Sequence, residues 1–280
     1  AQASFGMKGS DKGQFDQPRG LTFTPDGNIA VVDSKNGRVQ VMSPEGEFLL
    51  EFGKEYLNTE YSGPCDVACD REGNFYIADT WNHAIRKASP KGQLLKTAKE
   101  ALQDGGPTGL FGPRGIALSS EGKVYVTDTG HKYVRVYDGN LNPLFSWGGG
   151  GEATGLFNEP VGIAIDAQDR VFVADTGNGR IQQFSARGDF QAEYQTALPG
   201  ANELIVMEPH LEALPDGRLV QTVSKKGAIW FVNPEAKTAV ILRIVQPAIS
   251  EPLGVAVGPR GALWVSDRKS GVIARAPFQK

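Results

Sequence analysis

Apolar positions along this chain fall into short runs of four or five residues, and the same run returns at a nearly constant interval. Ile29-Ala30-Val31-Val32 ends at Asp33, Phe75-Tyr76-Ile77-Ala78 at Asp79, Val124-Tyr125-Val126-Thr127 at Asp128, and Val171-Phe172-Val173-Ala174 at Asp175. Such β-branched and aromatic runs, bounded by turn residues, predict strands. Each is preceded by a shorter strand segment that opens on proline: Pro18-Arg19-Gly20-Leu21, Pro64-Cys65-Asp66-Val67, Pro113-Arg114-Gly115-Ile116 and Pro160-Val161-Gly162-Ile163. Weaker copies begin at Pro209 and Pro252, so successive starts lie 46, 49, 47, 49 and 43 residues apart. Turns such as Pro25-Asp26-Gly27 and Pro215-Asp216-Gly217 separate the first strand from the second. A Gly/Asn-rich loop then leads to a third strand, as in 39–41 or 181–184. A further glycine turn leads to a fourth, as in Leu49-Leu50-Glu51-Phe52-Gly53, 144–148 and 190–194.

Six units of four antiparallel strands, each about 45 residues long and without intervening helices, predict an all-β fold. The expected form is a six-bladed β-propeller rather than a sandwich. The sixth unit runs out after its third strand at 272–276, whereas Ser4-Phe5-Gly6 repeats the aromatic-glycine ending of Phe52-Gly53 and Trp147-Gly148. The N-terminal strand is therefore expected to join the last blade and close the ring, making residues 1–280 one domain.

Composition sharpens this picture. There are 35 glycines among 280 residues, well above the usual share of about 7%, as a turn-rich repeat requires. The balance of 29 Lys and Arg against 32 Asp and Glu lacks the basic excess that phosphate-backbone binding needs, which argues against a nucleic-acid partner. No apolar run approaches the roughly 18–20 residues of a membrane-spanning helix. Cys65 and Cys69, roughly 13 Å apart along one strand, are expected to be unpaired thiols. The chain opens at Ala1 without an initiator Met, and a leader or anchor upstream would place it outside the cytoplasm. A monomer is expected.

Gly13-Gln14-Phe15 before Pro18, Gly155-Leu156-Phe157 before Pro160, and the segments Ala78-Asp79-Thr80-Trp81-Asn82-His83 and 174–181 resemble the NHL repeat. The resemblance covers essentially the whole chain, is closest in units one to four, and implies a six-bladed propeller. The last unit, 258–267, is also similar to related lyase-type propellers. Among NHL-like proteins the peptide-amidating lyases hold zinc with histidines placed directly after the proline in several blades. Here only His210 follows that rule, while Arg19, Cys65, Arg114, Val161 and Leu253 occupy the other positions. No metal and no other cofactor is expected. Several animal NHL domains bind single-stranded RNA through a basic face, which the charge balance again disfavours.

The first strands of a propeller line its channel, and the loops around their starts share one face, where function collects. Asp66 stands where blades one, three, four and six carry glycine, with Arg19 and Arg114 as prospective ion partners on the neighbouring blades. A structural cluster tying three blades together is one reading, and a clamp for a polar or carboxylate ligand the other. In blade five, His210-Leu211-Glu212 places Glu212 where the other blades carry Leu21, Val67, Ile116, Ile163 and Val255. Either the register slips so that Leu211 turns inward, or a carboxylate is buried with a raised pKa. Blade five also has Val223 in place of the recurrent aspartate.

The recurrent aspartates are expected to accept N–H groups of the following turn rather than to ring a metal, and Asn36, Asn82 and Asn178 to adopt positive φ. His83 and His131 lie in loops and His210 on a strand, too scattered for a zinc site. Gly148 to Gly151 read as a flexible connection, not a phosphate cradle. Trp81 and Tyr133, with Tyr56, Tyr61 and the connector 195–206, offer an exposed binding face.

These observations lead to a non-catalytic propeller that recognises a protein, peptide or small polar ligand through Arg19, Cys65, Asp66, Arg114, His210, Glu212, Trp81 and Tyr133. The alternative is a lyase or hydrolase at the central channel, with His210 and Glu212 as catalytic groups and Arg114 as electrostatic partner.

Overall fold

The computed structural model describes the chain apart from residues 1–3, 58–62, 103–105, 197–208, 225–226, 237, 244–248 and 277–280. Six four-stranded antiparallel sheets form the six blades of a β-propeller. The innermost strands are Pro18–Phe23, Asp66–Cys69, Pro113–Leu118, Pro160–Ile165, Leu211–Ala213 and Pro252–Val257. Every second strand is buried throughout, because each blade is covered by a neighbour on both sides. The core is accordingly a set of slabs between blades: Ile116 and Val126 of blade three pack on Tyr76, Ala78 and Ile85 of blade two. Leu21 and Val31 of blade one pack on Ala256 and Trp264 of blade six.

The ring closes as the repeat arithmetic demands. Ser4 pairs with Ala274 and Phe5 with Ile273, so the N-terminal strand is the outer strand of blade six. The Phe5 ring lies 5.9 Å from that of Trp264, and the Ser266 hydroxyl donates to the Arg19 carbonyl across the junction. Deleting residues 1–8 should lower stability by about 2 kcal/mol, roughly 4 °C or more in melting temperature. A melting curve unchanged by the truncation would show that closure does not depend on this strand.

In blades one, three, four and six the first strand carries one extra residue after its proline, so that Pro18 pairs with Asp33 but Leu21 with Val31. Blade five lacks it. Leu211 pairs with Gln221 and Glu212 with Val220, which makes Leu211 the counterpart of Leu21 and turns it into the core at 4% exposure. The register slip is therefore real, and it moves His210 into the place that glycine occupies elsewhere.

The turns between second and third strands show a second departure from expectation. Positive φ falls not on Asn36, Asn82 and Asn178 but on the residue after each: Gly37 (60°), His83 (51°) and Gly179 (64°). The asparagine amides instead donate to Asp33, Asp79 and Asp175. Gly148 to Gly151 form no loose connection, since Gly149 N–H donates to Lys132 and Gly151 N–H to Phe157.

The aspartates are wholly buried and structural. Asp33 accepts from Arg38 Nε at 2.7 Å, the Asp16 N–H at 2.8 Å, and Asn36 and Gln40. Asp175 repeats the set with Arg180, Asn158 and Gln182. Blades two and three deliver arginine from a position two residues further along the third strand, Arg86 and Arg135. The partners thus include the loop entering the blade as well as the following turn. In blade five Val223 replaces the acid, and Trp230 occupies the site of Arg86 and Arg135, packing on Val223 and Ala228. An apolar cluster stands in for the ion pair, an exchange that costs little when both partners change together.

Candidate functional site in the central channel

On the proline-side face the channel mouth is closed. Arg19, Cys65, Val161 and Leu253 are all buried, and Arg19 Nη1 donates to Cys65 Sγ at 2.8 Å. The layer beneath contains Gly20, Gly115, Gly162 and Gly254, with Asp66 and His210 on opposite blades. A side chain on Gly20 would collide with the Asp66 carboxylate, and on Gly254 with the Arg19 carbonyl. Four glycines thus leave space in which the two side chains meet, and His210 Nδ1 comes to 3.4 Å from Asp66 Oδ1.

Asp66 does tie blades together, but its described partners are not the arginines foreseen for it. Its carboxylate accepts the Ile116 N–H of blade three at 3.1 Å and its neighbour's Val67 N–H at 2.9 Å, and faces His210 of blade five. Arg114 lies instead outside the channel, 3.3 Å from Glu159 of blade four. In blade three the extra residue after Pro113 shifts the register, and Arg114 stands beside Glu159 rather than at the cavity.

Below the His210–Asp66 contact the channel widens into a cavity of about 250 Å3, room for roughly eight waters. All six inner strands line it, from Asp66 and His210 at its closed end to Phe23, Cys69, Leu118, Ile165 and Val257 near the opposite face. Glu212 projects into this cavity at the level of Thr22, Ala68, Ala117, Ala164 and Ala256. It keeps partial exposure to the lumen only. Burial, and secondarily the Asp66 charge, push the Glu212 carboxyl up to about 8, with the Val257 N–H pulling slightly the other way. Glu212 is thus mostly protonated at neutral pH, a carboxylic acid able to donate. With Asp66 facing Nδ1, Nε2 of His210 has no hydrogen-bond partner among the described residues. At the rim, burial and then Asp70 and Asp26 hold the Cys69 thiol up at about 12, so it is no nucleophile.

Among the described residues no three His, Cys, Asp or Glu side chains are gathered as a metal-binding set, and Cys65 and Cys69 are not joined in a disulfide. Nor does any described helix have the length and hydropathy to cross a membrane. His83 and His131 flank Phe111 on the proline-side face, far in the fold from His210 on the axis. Trp81 is exposed on that face, but Tyr133 does not join it, its ring lying under the Arg135 guanidinium at 4.5 Å. Tyr56 donates to the Gly92 carbonyl between blades. Tyr61 and residues 197–206 of the connector lie outside the described residues.

Six four-stranded antiparallel blades closed into one ring make this a six-bladed β-propeller. Residues 7–214 match the SMP-30/Gluconolactonase/LRE-like region, and the chain belongs to that family. NHL-repeat proteins, the family that the repeat resembles, are homologues at distant identity. Protein brain tumor of Drosophila melanogaster is 29% identical over 147 residues, 51% of this chain and 14% of that protein. The chain thus spans only about a seventh of that relative. Two solved structures share the fold: a gluconolactonase from Xanthomonas campestris, with TM-score 0.71 and 14% identity over 95% of this chain and 88% of that one, and a streptogramin B lyase, with TM-score 0.67 and 15% identity over 99% and 98%.

Proposed function

We propose that this chain is a hydrolase or lyase acting on a small polar ester or lactone within the central channel. The observation that carries the reading is the convergence of Asp66, His210 and Glu212 on one cavity whose other lining side chains are uncharged. Family membership and the enzymatic names of the two structural neighbours support it. In hydrolysis, His210 Nε2 takes a proton from water as the hydroxyl attacks the ester carbon. Glu212 gives its proton to the departing alkoxide, and the proton on His210 returns to Glu212 through solvent. Asp66 is a positioning residue, holding the imidazole by its Nδ1 side. Arg114, foreseen as the electrostatic partner, has no part in this scheme.

Hydrolysis of glucono-1,5-lactone and 4-nitrophenyl acetate above the buffer rate tests the proposal. His210→Asn and Glu212→Gln should each lower kcat/KM by about 100-fold or more. Parental rates should fall as pH rises past about 8, where Glu212 loses its proton, and Glu212→Gln should lack that limb. No turnover by the parent, or a His210→Asn variant at parental rates, would overturn the assignment. A second reading, a non-catalytic propeller binding through its proline-side face, draws on the closed channel mouth there and the exposed Trp81.

A further inference from the structure

A second cavity of about 350 Å3 lies off the axis on the proline-side face, where the turns of blades two and three meet the loop entering blade four. Trp81 and Phe111, 44% and 51% exposed, are its aromatic walls, with His83, Arg114, Lys132 and Glu159 around them. Of these side chains none lines the channel cavity.

The walls are built, not merely left over. Phe111 is held in the open by its backbone: its N–H donates to Asp128 at 2.7 Å and its carbonyl accepts from Gly130. Its ring sits between the imidazoles of His83 and His131, at 5.0 and 5.6 Å. The Gly112 N–H donates to His83 Nδ1 at 3.0 Å, so in the neutral ring the proton resides on Nε2, which becomes a donor. On the floor, the Thr80 and Thr129 hydroxyls are already committed to the Pro113 and Pro160 carbonyls.

The backbone adds an independent sign. The left-handed turn position that is glycine in blades one and four is His83 in blade two and Lys132, at φ 65°, in blade three. Glu159, at φ 55°, is left-handed too, so three of the six non-glycine residues with positive φ among those described border this one cavity. Strain of this kind concentrates where side chains are needed for function. Among the described residues that line it, two cations, Arg114 and Lys132, face one anion, Glu159, which pairs with Arg114 at 3.3 Å. Lys132 thus brings positive charge beside two exposed rings.

We propose that this cavity binds a small aromatic carboxylate, its ring against Trp81 and Phe111 and its charge met by Lys132 and the His83 Nε2–H. A volume near 350 Å3 suits a molecule of one or two rings. The probe is 2-naphthoate, titrated calorimetrically into the full chain. 2-Naphthylmethanol serves as its neutral counterpart and cyclohexanecarboxylate as its non-aromatic one. One-to-one binding with Kd below about 1 mM is expected, weaker by about 10-fold for either counterpart. Trp81→Ala and Lys132→Gly should each weaken it at least about 5-fold. Lys132→Gly restores the glycine of blades one and four, so its melting temperature should hold or rise by about 2 °C, separating lost binding from lost folding. His210→Asn should bind 2-naphthoate like the parent, which keeps this site distinct from the channel. Absence of saturable binding, binding indifferent to Lys132→Gly, or loss of binding in His210→Asn would each overturn the proposal.

Discussion

Glu212→Gln is expected to melt several degrees above the parent at pH 9 and at the same temperature at pH 5. The Glu212 carboxyl is held at about 8 in the fold against an ordinary 4.5, so between those values the native state keeps a proton that the unfolded chain has released. Stability therefore falls as pH rises from about 4.5, and the loss is complete above about 8. At about 1.4 kcal/mol per pH unit the full effect approaches about 5 kcal/mol, which solvent screening through the open lumen reduces to about 2–3 kcal/mol. Glutamine keeps the shape and the carbonyl that meets the Val257 N–H while removing the ionisation. Melting curves of the two proteins that run parallel from pH 5 to pH 9 would show that Glu212 is solvated as an ordinary glutamate.

Asp33→Ala should cost about 3 kcal/mol, lowering the melting temperature by about 6 °C or more, because it takes from the buried Arg38 its Nε acceptor and leaves the partly exposed Glu51, 2.6 Å from Nη1, as its counter-ion among the described residues. Arg38 is 1% exposed, and its Nε, together with the Asn36 and Gln40 amides and the Asp16 N–H, loses its acceptor. Burial pushes the Asp33 carboxyl up from its ordinary value, and the bonds from Asn36, Arg38 and the Asp16 N–H draw it back. Removing both charges should be milder than the sum of the parts: Asp33→Ala with Arg38→Ala is expected to be at least about 1 kcal/mol more stable than additivity allows. Blade five has made this exchange already with Val223 and Trp230. A strictly additive cycle, or an Asp33→Ala protein within about 1 kcal/mol of the parent, would remove the buried pair from the account of stability.

Much of the fold was legible because repetition multiplies a weak signal. One strand run ending in aspartate says little, but four in step, with prolines at regular intervals, fix the blade count, and the missing last strand points to the N-terminus. The lapses at Asp66, His210 and Glu212 were visible for the same reason. The levels of His210 and Glu212 in the channel were not, because counting from the proline fails in blade five, which has one residue fewer after it. The arginines do not reach Asp66 either, since Arg19 meets Cys65 and Arg114 meets Glu159. His83 reads as a loop residue, and Lys132 carries no motif that singles it out. The one available sign was the absence of glycine where Gly37 and Gly179 stand, which matters only once the left-handed turn is known.

The sequence by itself determined the blades, their number and their closure, since these follow from local alternation, turn chemistry and length. The tertiary structure alone decided which side chains meet. His210 and Asp66 are 144 positions apart, and only the curvature of the ring, with glycines on four of its six inner strands, brings them to 3.4 Å. Distances across an axis depend on the sum of all six blades, a quantity that no single repeat encodes.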